Sequence, residues 1–294
     1  MTPPLLRLAT RASPLALWQA RWVARELRRR HPGLAVRLVP VVSGGDRDRA
    51  TALYASSSVG MFVKEIQAAV LAGEADAGVH SAKDLPTGLP AGLALAAFLP
   101  RADPRDCLIG ATSVAALPAG AVVGSSSLRR RVQLARMRPD LLFVPIRGNV
   151  ETRLEHVKKG TVAATVLAMA GLSRLGLLRR AAAVPLHAQR EMVPAPAQGA
   201  VAVDCRAGDR RVLHNLAGIS HAATTLAVTA ERAVLAGMAG GCSLPLGCHA
   251  WRDGEGVWHL AVSLGDPAGA ERERFELVGA LPTLAPRALA RLRG

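Results

Sequence analysis

The chain has 294 residues, of which 50% are apolar and only four Phe, four Trp and one Tyr are aromatic. At about 100–150 residues per domain, this length predicts two or three domains with aliphatic cores. The net charge of +15 predicts attraction to anionic ligands. The scarcity of aromatic residues argues against binding of single-stranded nucleic acid, which uses stacking platforms. No apolar run reaches the ~20 residues of a membrane span.

The N-terminal sequence "MTPPLLRLATRASPLALW" lacks the charged segment and long apolar run of a secretion signal. The four cysteines include no C-x-x-C pair, which is typical of a reducing compartment. We therefore expect a cytoplasmic location. A zinc site at Cys242, Cys248 and His249 matches metal-ligand spacing only weakly, so we expect no metal.

The first elements predict an α/β domain. The alternation of side-chain polarity over residues 5–10 indicates a strand that ends at Arg11. Ser13 followed by Pro14 indicates the start of a helix. Apolar residues then recur at helical spacing: Ala16, Ala20, Val23 and Leu27. The next segments predict a strand, a helix and a strand at 36–42, 61–73 and 75–80. This alternation is typical of an α/β domain with a largely parallel sheet.

The pattern then restarts. Strands are predicted at 121–124, 141–146 and 161–171, with helices at 127–140 and 149–160 between them. Proline-bearing joints at 98–106 and 193–199 connect the two units. Two joints predict a double crossover, with the two α/β domains hinged about a cleft. Ligands of such folds bind at the carboxyl ends of strands.

From about residue 220 the pattern changes. A helix over 224–241, a hairpin that turns at 253–256 and a further strand predict a small α+β domain. The predicted domains are 1–99 with 198–217, then 103–194, and finally 220–294 carrying Cys242.

Polar residues cluster just after several predicted strands. Each cluster has a plain structural alternative: a capped helix with one solvated arginine for "ATRAS", or a Lys–Asp ion pair in a turn for "HSAKDLP". A serine–lysine hydrolase dyad would use Ser81 and Lys83, but no oxyanion-hole motif supports it. The clusters comprise Arg11 and Ser13; Ser81, Lys83 and Asp84; Ser125, Ser127, Arg129, Arg130 and Arg131; and Arg147 and Arg153.

The segment "GSSSLRRR" is the clearest anion site among them. Free N–H groups, hydroxyls and guanidiniums meet at the start of one helix, where together they can bind an anion. Positive side chains at this end oppose the helix dipole, which argues against a purely structural role for them. The repetition of such clusters in two α/β units predicts a cleft suited to a ligand with many carboxylates. Its predicted lining is Arg11, Lys83, Arg129, Arg130, Arg147, Arg153 and Arg174, with Asp84 as the single acid.

The stretch "AGGCSLPLG" places Cys242 between glycines and a serine. Glycine leaves the backbone open, whereas a core cysteine is normally surrounded by bulky apolar neighbours. The pattern therefore predicts an exposed, functional thiol.

These segments resemble those of the porphobilinogen deaminase family, also called hydroxymethylbilane synthases. The resemblance runs in order from about residue 5 to 250, and the last 45 residues match only in general character. It implies two hinged α/β domains of the type II periplasmic-binding-protein architecture plus the small C-terminal domain. The motifs are "RLATRASPLALWQA", "FVKE", "HSAKDLP", "DPRD", "GSSSLRR", "RPDL", "RGNVETRL", "LAMAGLSRLGL", "QGAVAVDCR", "TAERA" and "GGCSLPLG".

The resemblance also implies a mechanism. Cys242 would form a thioether to a dipyrromethane cofactor, while Cys205 and Cys248 would be packing residues. Four porphobilinogens would be added in turn, each losing ammonia through an azafulvene, before water releases hydroxymethylbilane for tetrapyrrole biosynthesis. We expect a monomer.

The same resemblance implies roles for the polar clusters. Asp84 would be the catalytic carboxylate. Cofactor binding is expected from Ser81, Lys83, Asp84, Ser125, Ser127, Arg129 and Arg130. Substrate or chain binding is expected from Arg11, Ser13, Gln19, Arg147, Arg153 and Arg174.

One segment departs from the family pattern. The family usually has a loop of the form K-x-G-G-K-G before "FVKE", whereas this chain has "YASSSVGMFVKE". Ala55 and Val59 stand where lysines are expected, and serines replace two glycines. A low-activity paralogue with an altered loop therefore stays open as an alternative. The net charge of +15 leaves a polyanion-binding protein open, and the two-domain architecture leaves a solute-binding protein open, although such a protein would normally carry a secretion signal.

Overall fold

A computed structural model describes residues 4–41, 58–238, 244–266 and 268–293, with the backbone alone at 58–62. Two compact units are present: Met1–Arg101 with Ala200–Thr225, and Ala102–Gly199 with Leu226–Gly294. The three-domain boundaries and the hinged cleft stay predictions. Cys242 and Ala55 lie outside the described residues, as does the side chain of Val59.

The first unit contains a mixed five-stranded sheet in the order β2-β1-β3-β10-β4. β1 runs parallel to β2 and β3, whereas β10 runs antiparallel to β3 and β4. The sequence pattern predicted a largely parallel sheet, but the antiparallel β10 comes from a distant segment. The strands are β1 (Leu5–Arg11), β2 (Ala35–Val41), β3 (Ala77–Ser81), β4 (Leu93–Phe98) and β10 (Val201–Arg206).

The described part of this unit includes the helices α1 (Pro14–Arg30), α2 (Ser58–Leu71) and α6 (Arg210–Ala217). The predicted apolar stripe of α1 is buried at Ala20, Val23 and Leu27. It packs on Leu6 and Leu8 of β1, so the hydrophobic effect fixes α1 against the sheet.

The second unit contains another mixed sheet, in the order β7-β6-β8-β5-β9. Its strands are β5 (Asp106–Ile109), β6 (Val122–Gly124), β7 (Leu142–Val144), β8 (Ala164–Ala168) and β9 (Val184–Pro185). Its helices are α3 (Leu128–Met137), α4 (Val150–Lys158) and α5 (Met169–Arg174). The prediction of one strand over 161–171 is wrong, because the chain turns from β8 into α5 at Met169. A continuous apolar run does not distinguish a buried strand from a buried helix.

A three-stranded antiparallel sheet follows in the same unit: β11 (Leu246–Arg252), β12 (Trp258–Gly265) and β13 (Glu271–Gly279). Helices α7 (Ala222–Gly237) and α8 (Leu281–Arg293) accompany it. A hydrophobic core that includes Val234, Val262 and Leu284 joins this sheet to both helices. The predicted fold class, α/β with a small C-terminal α+β part, is confirmed. Within the described ranges, no helix has both the length and the apolar character needed to cross a membrane.

Candidate functional site

The carboxyl ends of β1 and β3 form one edge of the first sheet. The two strands are parallel neighbours, so Arg11 and Ser81, their last residues, lie at the same edge. Ser13 caps α1, as predicted, because its hydroxyl accepts a hydrogen bond from the Ala16 amide at 3.4 Å. The sequence-predicted residues Arg11, Ser13 and Ser81 thus belong to one edge of one sheet.

Gln19 connects α1 to this edge. Its side chain is buried, and its Nε2 lies 2.9 Å from Ser81 Oγ. The other amide atom, Oε1, lies 3.2 Å from the same hydroxyl. Gln19 therefore fixes the position of Ser81 at the end of β3.

Lys83 and Asp84 follow Ser81 in a short 3-10 helix, Ala82–Asp84. The Ala82 amide donates to the carbonyl of Ala200, the residue before β10, at 3.1 Å. The Asp84 side chain is half-buried. Among the described residues, none forms a hydrogen bond or an ion pair with the Asp84 carboxylate, so the group is available to a ligand.

A buried polar cluster that sequence reasoning missed lies directly before this turn. The Asp204 carboxylate on β10 contacts His80 Nε2 at 3.1 Å and accepts a hydrogen bond from Gln67 Nε2 at 2.9 Å. All three side chains are buried. The contacts hold the end of β3 against β10 and α2, because a buried carboxylate without partners is costly. The one sequence signal was an acid within the apolar run "GAVAVDCR".

The serines of "GSSSLRRR" lie between β6 and α3 in the second unit. Ser127 is the N-cap residue of α3, yet its side chain forms no capping hydrogen bond. Ser125 is buried, and its hydroxyl accepts a hydrogen bond from the Ser127 amide at 3.3 Å. The start of α3 therefore presents backbone donors and hydroxyls together.

Arg129 and Arg130 share one buried carboxylate, that of Asp106. Arg129 Nη1 lies 2.8 Å from Asp106 Oδ2, and Arg130 Nη2 lies 2.7 Å from Oδ1. Arg129 Nη1 also donates to the Val193 carbonyl at 2.7 Å. Sequence reasoning did not assign Asp106 to the site, although the residue ends the motif "DPRD" and begins the apolar strand β5.

The balance of charge in this cluster favours anions. Two guanidiniums surround one carboxylate, so the group carries a net positive charge in a buried place. Burial lowers the pKa of Arg129, while Asp106 opposes that shift. An additional carboxylate from a ligand would offset the remaining charge.

The other predicted cations are placed differently. Arg147 is exposed, and Arg153 is half-buried with its Nε donating to the Gly148 carbonyl at 3.1 Å. Arg174 is buried, and its Nη2 donates to the Gly199 carbonyl at 2.7 Å. Burial lowers the pKa of Arg174 to about 10. Their roles toward a ligand stay predictions.

Three of the four cysteines lie in the described residues, and all three are buried. Cys205 and Cys248 belong to hydrophobic cores. Burial raises the pKa of Cys107 to about 12 and that of Cys205 to about 11. High pKa values make thiols unreactive, so neither Cys107 nor Cys205 suits covalent chemistry. Within the described ranges no cluster of three His, Cys, Asp or Glu could hold a metal ion.

Several solved structures are similar to this chain at low identity. The periplasmic VFT2 domain of BvgS from Bordetella pertussis is 18% identical, with 74% of this chain and 87% of that chain covered and a TM-score of 0.42. An amino acid ABC transporter substrate-binding protein, AbpA from Streptococcus pneumoniae, is 13% identical, with coverage of 72% and 86% and a TM-score of 0.38. The OxyR2 regulatory domain from Vibrio vulnificus is 14% identical, with coverage of 74% and 94% and a TM-score of 0.44. At these TM-scores the likenesses carry no argument.

The comparison with family models covers nearly the whole chain. Residues 6–214 match the dipyrromethane cofactor binding domain of porphobilinogen deaminase. Residues 225–285 match the C-terminal domain of porphobilinogen deaminase. The matched ranges include both the Ser81–Asp84 turn and the Arg129–Asp106–Arg130 cluster. The chain belongs to the porphobilinogen deaminase family.

Proposed function

We propose that the chain is a hydroxymethylbilane synthase. It removes ammonia from four porphobilinogens and joins them head to tail into a linear tetrapyrrole for porphyrin biosynthesis. The observation that supports this best is the buried cluster of Arg129, Asp106 and Arg130, whose positive charge exceeds its negative charge. Each pyrrole of substrate and product carries an acetate and a propionate, which are the groups that such a cluster binds.

The residues at the start of α3 suit the dipyrromethane cofactor of the family. Arg129 and Arg130 would hold its carboxylates, with Ser125 and Ser127 as hydroxyl donors. Ser81 and Lys83 are further proposed cofactor-binding residues. When bound, the dipyrromethane supplies the primer to which porphobilinogen units are added. The family resemblance and the burial of the other three cysteines support Cys242 as its attachment site.

Asp84 is the proposed catalytic residue. Its half-buried carboxylate has no partner among the described residues, so it can accept a hydrogen bond from the pyrrole N–H of porphobilinogen. Positive charge develops on that pyrrole as ammonia leaves. A carboxylate beside it stabilises this charge and can exchange a proton with the reacting group.

The remaining polar residues would bind the carboxylates of the substrate and of the growing chain. Arginine suits this task because its planar group can form two parallel hydrogen bonds with one carboxylate. The proposed residues are Arg11, Ser13, Gln19, Arg147, Arg153 and Arg174. A cytoplasmic monomer that uses neither nucleic acid nor a membrane is part of the same proposal.

Intact mass and a porphobilinogen assay test this function together. The purified chain should exceed its sequence mass by one dipyrromethane, consume porphobilinogen and react with Ehrlich's aldehyde reagent. Cys242→Ser should remove the extra mass and the turnover. The matched control is Cys248→Ala, which removes a buried thiol and should keep the adduct. An adduct that persists in Cys242→Ser would overturn the attachment site, and a wild-type chain without porphobilinogen turnover would overturn the function.

A further inference from the structure

Helix α3, which carries Arg129 and Arg130, lies between two layers of the second unit. Leu134 belongs to the core of the mixed sheet. On another side α3 lies close to β12. Gly265, the last residue of β12, is so near to Val132 of α3 that a Cβ atom added to the glycine would lie only 2.7 Å from Val132 Cγ1. The C-terminal sheet therefore sits directly against the helix that begins at the arginine cluster.

The backbone of Val193 is the first link between these layers. Its carbonyl accepts hydrogen bonds from Arg129 Nη1 at 2.7 Å and from Gln133 Nε2 at 3.1 Å. Its amide donates to Gln133 Oε1 at 2.7 Å. Gln133 is fully buried, so both ends of its side chain have little freedom to move. A displacement of Gln133 would move the carbonyl that Arg129 binds.

Arg274 on β13 extends this link to the C-terminal sheet. Its Nη2 donates to Gln133 Oε1 at 2.6 Å, and its Nη1 donates to the Gln189 carbonyl at 2.6 Å. Glu271 holds the guanidinium from the other side, with Oε1 lying 2.8 Å from Arg274 Nη2. Glu271 also pairs with Arg136 of α3, whose Nε lies 3.0 Å from Oε2.

The contacts at position 274 require an arginine. The planar guanidinium donates to an amide oxygen and a backbone carbonyl while it pairs with a carboxylate. A lysine ammonium keeps the charge but not this fixed fork. Hydrogen bonds from charged donors are also the stronger ones in a largely buried place.

We propose that Arg274 is a positioning residue for Arg129, acting through Gln133 and the Val193 carbonyl. The C-terminal sheet thereby sets where the Arg129 guanidinium lies. The consequence for cofactor acquisition rests on the function proposed above, whereas the placement of Arg129 does not.

The test compares Arg274→Gln and Arg274→Lys with a matched control, Arg272→Gln. Arg272 is an exposed arginine of the same strand that pairs with Asp266. The first readout is the ¹⁵N spectrum of arginine side chains, with the Arg129 signal assigned by its loss in Arg129→Lys. The second is the rate at which the unloaded chain acquires the dipyrromethane adduct from porphobilinogen. Circular dichroism supplies the folded fraction.

Both Arg274 variants should shift or broaden the Arg129 signal, and Arg272→Gln should leave it in place. Adduct formation per folded chain should slow by about tenfold in Arg274→Gln, as expected for one lost charge-assisted hydrogen bond. If Arg274→Gln does not fold, Arg274→Lys decides, since it keeps the charge beside Glu271. An unchanged Arg129 signal in a folded variant would overturn the proposal. If the Arg129 signal shifts in the Arg274 variants but the wild-type chain itself never acquires the adduct, the result would support the positioning role and reject the proposed function.

Discussion

Two fully buried carboxylates, Asp204 in the first unit and Asp106 in the second, have different hydrogen-bond partners and therefore different proposed roles. Asp204 contacts an imidazole and an amide, from His80 and Gln67. Asp106 contacts two guanidiniums. Both lie at 0% exposure, so burial alone does not distinguish them.

The two clusters differ in their net charge. Among the residues that the structure describes, His80 is the only titratable partner of Asp204, and the contacts of Asp204 join β3, β10 and α2. Asp106 has two permanent cations, so its cluster keeps an excess positive charge. The first cluster therefore supports the turn that carries Asp84, whereas the second suits a ligand's carboxylates.

The largest effect is expected at the turn that the first cluster supports. Asp84→Ala should lower turnover by about 10²–10⁴-fold, the range of general acid–base catalysis. The unfolding free energy should change by less than about 0.5 kcal/mol, since the carboxylate has no partner among the described residues. Steady-state assays and urea titration measure the two quantities. The control, Glu26→Ala, removes a half-buried carboxylate of α1 that pairs with Arg29, and it should keep the rate. A near wild-type rate in Asp84→Ala would reject the catalytic role.

The second largest effect is expected from removal of the Asp106 carboxylate. Asp106→Ala leaves two buried guanidiniums without their counter-ion, so the unfolding free energy should fall by about 3–5 kcal/mol. Adduct formation should fail as well, because Arg129 and Arg130 lose their fixed positions. Urea unfolding and intact mass measure these losses. Glu155→Ala breaks an exposed pair with Lys158 and should change neither.

Asp204→Asn should have a smaller and purely structural effect. The amide keeps the shape of the carboxylate but mismatches one buried hydrogen bond, at a cost of about 1–3 kcal/mol. Adduct formation per folded chain should stay at the wild-type rate. If Asp204→Asn slowed adduct formation as much as Asp106→Ala does, the proposed division between the two clusters would be wrong.

The smallest effect concerns the altered loop. Ala55→Lys with Val59→Lys adds two cations where the family usually has lysines, and should raise kcat/KM a few-fold at low salt. The gain should fade as the Debye length falls from about 30 Å at 0.01 M to about 8 Å at 0.15 M salt. Steady-state assays across this range measure it. The control, Ala115→Lys with Ala119→Lys, adds the same charge at exposed alanines elsewhere, and no gain at low salt would contradict an electrostatic role for the loop.

Local patterns predicted much of the fold. The Ser13 cap, the apolar stripe of α1 and the hairpin between β11 and β12 depend on neighbouring residues, and the structure confirms them. The run 161–171 was predicted wrongly, because its apolar residues suit a strand and a helix equally. The antiparallel direction of β10 was also missed, since an apolar run does not encode the direction of its neighbours.

The sequence by itself determined the family and the residue types of the site, because its motifs keep serines, arginines and acids in a fixed local order. Only the tertiary structure decided which of these groups meet. Asp106 lies 23 residues from Arg129, Asp204 lies 124 residues from His80, and Gln133 lies 141 residues from Arg274. No local period relates such pairs. Their contacts arise because a buried charge or amide must find a partner wherever packing of the core brings one within hydrogen-bond distance.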